Sequence, residues 1–310
     1  MDTLMKEFRI DFSNNQLDDL RRRLDTARPP QPWNGALWDY GTDSDYLSKL
    51  LAYWRDEYDW RHRERELNRY PQFTCELDGT TIHFFRIRSS RENAPALLLT
   101  HGWPDSFLRY AKLFPLLPDY DLVIPSLPGF AFSTLPAKGF SNNAETAELW
   151  HRLMTDVLDY KEYFASGGDM GRGVTCYLAA NHPEEIRGIH LTDVGFAADL
   201  VAAPDETLTS AGLAYKQRAV KWQREEGAYI NIQSTKPQTL AYALADSPAG
   251  MAARRKRFAS AWKTAARWRF SKAKARRAAA VSFTTGSSTV GSSRATACSH
   301  KCCLTPECRL

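Results

Sequence analysis

A regular alternation of short apolar runs with helical patterns constrains the fold of this chain more than any other sequence feature. Four runs predict strands: ALLLT (96–100), DLVIP (121–125), YFASGG (163–168) and IRGIHLTD (186–193). Helical patterns at 144–159 and 170–181 separate the later runs. Buried strands that alternate with helices predict an α/β fold, a doubly wound and mostly parallel sheet covered by helices on both faces.

The regions on either side of these runs carry helical patterns. Residues 1–70 are expected to form helices. One covers LDDLRRRLDTA and ends at Arg28-Pro29-Pro30, and another covers 44–70, where Asp43 or Ser44 would cap it. FTCELD and TIHFFRIR then predict a hairpin whose turn lies near Gly79. Residues 196–250 show no strand pattern and are expected to form further helices.

The charge of the chain changes abruptly at residue 254. Residues 1–253 carry 27 basic and 35 acidic residues, whereas residues 254–310 carry 14 basic residues and one acid. No run of about 18 apolar residues could span a membrane, and the first residues lack the pattern of a secretory signal. We therefore expect a cytoplasmic chain with no membrane partner, in which Cys75 and Cys176 are buried thiols.

The sequence ASGGDMGRG (165–173) carries the strongest catalytic signal. It follows a predicted strand and opens a predicted helix, which is the setting of a nucleophile elbow with Asp169 at the nucleophile position. Residues beside a nucleophile on so tight a turn need almost no side chain. The elbow glycines are Gly167, Gly168 and Gly171.

An aspartate nucleophile restricts the reaction to attack on saturated carbon. A serine that opened an alkyl electrophile would form an ether, which water does not cleave. Aspartate forms an ester instead, which water can hydrolyse with return of the carboxylate. Asp169 therefore indicates an epoxide or an alkyl halide as the electrophile, whereas the structural alternative is an aspartate that only caps the next helix.

HGWPDS (101–106) directly follows the predicted strand ALLLT, where α/β-hydrolases place part of the oxyanion hole. The backbone N–H groups of Trp103 and Met170 are expected to converge on the carbonyl oxygen of the Asp169 ester. We interpret His101 as a structural histidine that hydrogen-bonds the loop backbone, since its position suits scaffolding better than proton transfer.

With these motifs in this order, residues 5–253 resemble the microsomal-type epoxide hydrolases of the α/β-hydrolase superfamily. The resemblance rests on the tryptophan-rich N-terminal segment, HGWPDSF, PSLPGFAFS (125–133), GGDMG and EGAYINIQSTKPQTLAYALADSPAGMAA (226–253). It implies an N-terminal arm with a first hairpin (1–93), an α/β-hydrolase core (94–195) and a partial lid (196–253), and it leaves residues 254–310 as an aberrant basic tail.

The resemblance also implies a role for Tyr229 and a class of substrate. Tyr229 matches the first of two lid tyrosines that protonate the epoxide oxygen in this family. The expected reactants are a small hydrophobic epoxide and water, in detoxification or aromatic hydrocarbon catabolism. No cofactor, metal or nucleic acid is expected, and no oligomeric state is predicted.

The tail departs from the family pattern. The catalytic histidine and its acidic partner are not found: His182 and His190 do not occupy the expected position, and Asp193 is only a weak substitute acid. We interpret the tail as out-of-frame translation. Its cysteine spacing, C-x₃-CC-x₄-C, does not suit a standard zinc site.

Two alternatives stay open. A hydrolytic dehalogenase would use the same Asp169 and would need N–H donors such as the Trp103 indole around the halide. A non-enzymatic protein could instead bind nucleic acid through the basic tail, whose cations would attract phosphates.

Overall fold

The computed structural model describes residues 5–31, 38–139, 141–192 and 198–254. The tail beyond Arg254, with its cysteines and His300, lies outside the described residues, and so does Asp193.

In the described part of the chain, seven strands form one sheet in the order β1-β2-β3-β5-β4-β6-β7. Their bounds are β1 Met5–Phe8, β2 Gln72–Leu77, β3 Thr80–Ile87, β4 Ala96–Thr100, β5 Asp121–Pro125, β6 Tyr163–Gly167 and β7 Ile186–Leu191. Strand β4 pairs in parallel with β5 and β6, and β6 pairs in parallel with β7. The first three strands are antiparallel, so the predicted hairpin at Gly79 extends a mostly parallel sheet, and the α/β prediction is confirmed.

Helices pack on this sheet and also form a separate group. Their bounds are α1 Asn14–Asp25, α2 Ser44–Asp56, α3 Trp60–Leu67, α4 Asn143–Arg152, α5 Met170–Asn181, α6 Ala198–Ala202, α7 Ser210–Glu226, α8 Ala228–Thr235 and α9 Pro237–Asp246. Helix α4 continues into a π-helical turn over Leu153–Val157. Short 3₁₀ helices lie at Phe107–Tyr110, Phe114–Leu116 and Asp205–Thr207.

The core lies between the central strands and helices α4 and α5. Every residue of β4 and β5 is buried, as expected for parallel strands that are covered on both faces. Trp150 of α4 and Leu178 of α5 are fully buried against this layer. Cys75 and Cys176 are buried thiols, as predicted.

Three expectations from the sequence are wrong in detail. Residues 5–8 form strand β1, although 1–70 was interpreted as a region of helices in which no strand was expected. The long helix expected over 44–70 breaks after Asp56 into α2 and α3, and Asp43 caps its start by accepting from the Tyr46 N–H. Strand β7 was expected to be buried, but its residues are half-buried or exposed because it lies at the edge of the described sheet.

The described residues form two compact units. The first contains 5–9, 66–192 and 198–202, and therefore the whole sheet; the second contains 10–65, without 32–37, and 203–254. Within the second unit, Arg23 Nη1 of α1 donates to the carbonyl oxygens of Ala245 and Asp246, both at 3.3 Å. Thr42 Oγ1 donates to the Ala253 carbonyl oxygen at 2.6 Å, so N-terminal residues contact the segment that was assigned to the lid.

Candidate active site

Asp169 lies on a tight turn between β6 and α5, as the elbow motif predicts. Strand β6 ends at Gly167 and helix α5 begins at Met170. Asp169 has φ 59° and ψ −126°, a conformation that costs free energy for any residue with a Cβ atom. The turn places the carboxylate at the carboxyl end of β6 and at the N-terminus of a 12-residue helix, whose dipole favours negative charge there.

The elbow glycines allow this turn because the backbone packs too closely for side chains. A Cβ atom on Gly167 would lie 2.1 Å from the carbonyl oxygen of Gly171. A Cβ atom on Gly171 would lie 2.1 Å from the carbonyl oxygen of Thr100 in β4. Gly168 is buried beside them. The two outer glycines thus let α5 approach both β6 and β4.

Two backbone N–H groups donate to the Asp169 carboxylate. Its Oδ1 accepts the Trp103 N–H at 2.9 Å and the Met170 N–H at 2.8 Å. These are the two N–H groups that the sequence predicts for the oxyanion hole. If Asp169 forms an ester through Oδ2, Oδ1 becomes the ester carbonyl oxygen and already lies where the donors would stabilise negative charge.

Gly102 is a site residue that the sequence analysis missed. A Cβ atom there would lie 2.5 Å from both Cβ and Oδ1 of Asp169. The motif HGWPDS contains this glycine, but the need for it arises only when the loop after β4 meets the elbow. The Trp103–Pro104 peptide bond that follows is cis.

His101 is a scaffold for this loop, as interpreted from the sequence. Its side chain is fully buried, its Nδ1 lies 2.9 Å from the Gly102 carbonyl oxygen, and its Nε2 accepts the Leu127 N–H at 3.1 Å. These partners require a neutral ring with the proton on Nδ1. Burial lowers the pKa of His101 to about 4, so the ring stays neutral at physiological pH.

The other residues weighed from the sequence lie on three further elements. Tyr229 is on α8 in the second unit, where its ring makes a T-shaped contact with the ring of Trp222, with centroids 6.4 Å apart. His190 Nδ1 lies 3.0 Å from Ser166 Oγ. His182 faces Glu148 beyond the C-terminus of α5. The structure therefore brings together Asp169 and the N–H groups of Trp103 and Met170, while the catalytic roles of Asp169 and Tyr229 stay predictions.

Comparisons with known families agree with this geometry. A family model described as epoxide hydrolase N terminus matches residues 5–110, and one described as alpha/beta hydrolase fold matches residues 95–294. The chain belongs to the epoxide hydrolase family. The second match extends beyond Arg254, so the departure expected from residue 254 stays a prediction.

Individual epoxide hydrolases are similar over most of this chain. A putative epoxide hydrolase of Stigmatella aurantiaca is 40% identical over 261 residues, which cover 79% of this chain and 58% of that protein. Epoxide hydrolase 1 of Oryctolagus cuniculus is 32% identical over 285 residues, which cover 81% of this chain and 61% of that protein. The chain thus spans about three fifths of the length of these curated relatives.

Solved epoxide hydrolase structures have the same fold. The Aspergillus niger enzyme matches with a TM-score of 0.71 and 31% identity, over 80% of this chain and 67% of that one. The juvenile hormone epoxide hydrolase of Bombyx mori matches with a TM-score of 0.68 and 32% identity, over 82% of this chain and 62% of that one.

Among the described residues, no helix has both the length and the apolar character needed to cross a bilayer.

Proposed function

We propose that this chain opens a small hydrophobic epoxide by forming a covalent ester on Asp169, as the first half of conversion to a vicinal diol. The observation that carries the proposal is the Asp169 carboxylate, whose Oδ1 accepts two backbone N–H groups at 2.9 and 2.8 Å. This arrangement keeps Oδ1 in the oxyanion hole while Oδ2 attacks the epoxide. Relatives that are named epoxide hydrolases support the epoxide as substrate.

In the first step, Asp169 Oδ2 attacks a ring carbon of the epoxide and the bond from that carbon to the ring oxygen breaks. The ring oxygen takes a proton from the Tyr229 phenol, and the product is a hydroxyalkyl ester of Asp169. The phenol matters because an alkoxide is a very basic leaving group, and a positioned acid commonly contributes roughly 10²–10⁴ in rate.

In the second step, water adds to the ester carbonyl carbon and loses a proton to a base. Negative charge on Oδ1 is stabilised by the Trp103 and Met170 N–H groups, and collapse of the intermediate releases the diol and the carboxylate. The sequence provides no histidine in the family position for that base. We therefore propose that the chain becomes alkylated at Asp169 but does not hydrolyse the resulting ester at a useful rate.

Incubation with a reactive styrene-type epoxide tests this proposal. Intact-mass and peptide analysis should find at most one adduct per chain, within residues 165–173, and no diol above background. Asp169→Asn should abolish the adduct, and Tyr229→Phe should slow its formation by roughly 10²–10⁴. Steady diol production that Asp169→Asn abolishes would contradict the inactive second step and would indicate another base, such as His182 or His190.

A halide-release assay on haloalkanes, run in parallel, tests the dehalogenase alternative. We expect no halide, because the named relatives are epoxide hydrolases and Tyr229 suits an epoxide oxygen. The cytoplasmic location stays a prediction, which fractionation of expressing cells would check.

A further inference from the structure

Two histidines and a glutamate meet at the end of the sheet opposite Asp169. His151 lies in the last turn of α4, His182 caps the C-terminus of α5, and Glu185 immediately precedes β7. Each residue has one atom that could bind a metal ion within 4.8 Å of such an atom of the other two residues. The imidazole rings are stacked, with centroids 3.6 Å apart and planes 6° from parallel. No part of the epoxide-opening mechanism uses these residues.

The hydrogen bonds around the two rings leave lone pairs available. Nε2 of His182 lies 3.1 Å from both carboxylate oxygens of Glu148, so it carries the proton and Nδ1 carries the lone pair. Nδ1 of His151 is buried and has no hydrogen-bond partner among the described residues. A carboxylate that holds the far nitrogen of a histidine is the usual arrangement around protein metal ions.

We propose that His151, His182 and Glu185 bind a divalent transition-metal ion of the Zn²⁺ class, with Glu148 orienting His182. Two imidazoles and one carboxylate are ligands that Zn²⁺ accepts, with water in the fourth position. Zn–N bonds of about 2.0–2.1 Å in tetrahedral geometry place ligand nitrogens about 3.3 Å apart. The candidate ligand atoms of the three residues lie within 4.8 Å of one another. The rings are parallel, so each must rotate about χ2, which is a soft torsion, for both lone pairs to point toward one ion.

Such an ion would link three elements at the amino end of β6 and β7. Tyr163, which begins β6, donates its N–H to the Glu185 carbonyl oxygen at 2.8 Å. Asp169 follows the other end of β6, about 13 Å away along the strand. We therefore assign the ion a structural role, in which it ties α4 and α5 to the start of β7 and does not take part in epoxide opening.

The test uses the 310-residue chain with its competing ligands removed. Cys298, Cys302, Cys303 and Cys308 are changed to Ser and His300 to Ala, because these side chains could bind Zn²⁺ themselves. Titration with Co²⁺, followed by its visible d–d absorption, should show one bound ion, and Zn²⁺ should displace it. His151→Ala and His182→Ala should abolish the absorption. Glu148→Gln should weaken affinity roughly 10–100-fold, as loss of a hydrogen-bonding partner of a ligand does.

His62→Ala is the matched control, since His62 is an exposed histidine on α3 in the other unit. It should leave the titration unchanged. Because the histidine variants could unfold, a second measurement uses the unaltered site: Zn²⁺ should slow carbethoxylation of His151 and His182, but not of His62. Absence of stoichiometric Co²⁺ binding, or equal modification of all three histidines with and without Zn²⁺, would overturn the proposal.

Discussion

Gly171 determines how closely α5 approaches β4, because a Cβ atom at this position would meet the Thr100 carbonyl oxygen. We expect Gly171→Ala to destabilise the sheet unit by about 1–3 kcal/mol or more, since a Cβ atom 2.1 Å from a backbone oxygen forces the helix away. Urea unfolding followed by circular dichroism measures the change. Alkylation of Asp169 should fall as well, because the Met170 N–H moves with the helix.

Gly212→Ala is the matched control for this substitution. Its Cβ atom would meet nothing closer than 3.5 Å, and it lies in the first turn of α7. Alanine there should be neutral or should stabilise by about 0.5–1 kcal/mol, because it restricts the unfolded chain. Equal effects of the two substitutions would contradict the close approach at Gly171.

The burial of His83 and His101 predicts that the chain loses stability on mild acidification. Burial lowers the pKa of His83 to about 3 and that of His101 to about 4. From the ordinary value of about 6.5 down to these values, the unfolded chain binds more protons than the folded chain. Stability therefore falls as pH drops through this window, by at most about 1.4 kcal/mol per pH unit for each histidine.

Urea midpoints measured between about pH 7.5 and 5 check this sign. His83→Gln should reduce the slope, whereas His62→Gln should not, because His62 is exposed. A slope that is flat, or that rises on acidification, would show that the two rings are not buried in the neutral form.

The sequence predicts some site residues well and others poorly, for a physical reason. Asp169 and its flanking glycines form a local motif, so their spacing predicts the elbow. Gly102 is required only because Asp169 packs against it at 2.5 Å, a contact between residues far apart in sequence. The cluster of His151, His182 and Glu185 likewise has no local spacing, since three separate elements bring it together.

At the scale of elements, the strands with continuous apolar runs were predicted closely. The predicted bounds of β4 and β5 agree with the structure because both strands are buried on both faces. Strand β1 escaped prediction because its four residues, MKEF, show no apolar run and gain their structure from pairing with β2. The break between α2 and α3 falls within a pattern that keeps its helical spacing, so periodicity could not reveal it.

Strand β7 exposes apolar surface at the edge of the described sheet, which favours association between chains. Ile189 is 43% exposed there. We expect low soluble yield and an uncooperative melt for the chain, because an unpaired apolar edge favours aggregation. We expect Ile189→Lys to raise the soluble yield without lowering the melting temperature, because lysine discourages edge pairing. Yield after centrifugation and light scattering measure the effect.

Ile186, on the same strand, is the matched control because it packs against the core. Ile186→Lys should lower both yield and melting temperature, since it places a charge beside buried apolar side chains. A sharp two-state melt and monodisperse solution for the unaltered chain would contradict the prediction for this edge.

At the scale of the whole molecule, the reversal of charge at residue 254 is the least expected feature. If residues 254–310 are translated out of frame, the DNA that encodes them should read in another frame as two apolar strands, an acid and a histidine. Sequencing across codon 254 checks this, and stop codons throughout the other frames would contradict it.

A chain rebuilt in that frame should convert a styrene-type epoxide to its diol with turnover, which the present chain should not do. Asp169→Asn should abolish that turnover, and substitution of the restored histidine should leave the enzyme alkylated. A rebuilt chain that still stops at the adduct would show that the second step fails for another reason.

The N–H groups of Trp103 and Met170 already donate to Asp169, and this restricts which compounds can react at this centre or inhibit it. Hydrolases with a serine nucleophile polarise the carbonyl of an incoming acyl compound with their backbone N–H pair. In this chain that pair is already engaged by Oδ1 of Asp169 at 2.9 and 2.8 Å. Carboxylic esters, amides and the boronic acids that imitate their tetrahedral intermediates would find no polarising donors there. Selective inactivators of this centre should therefore be strained-ring alkylating agents rather than acylating ones.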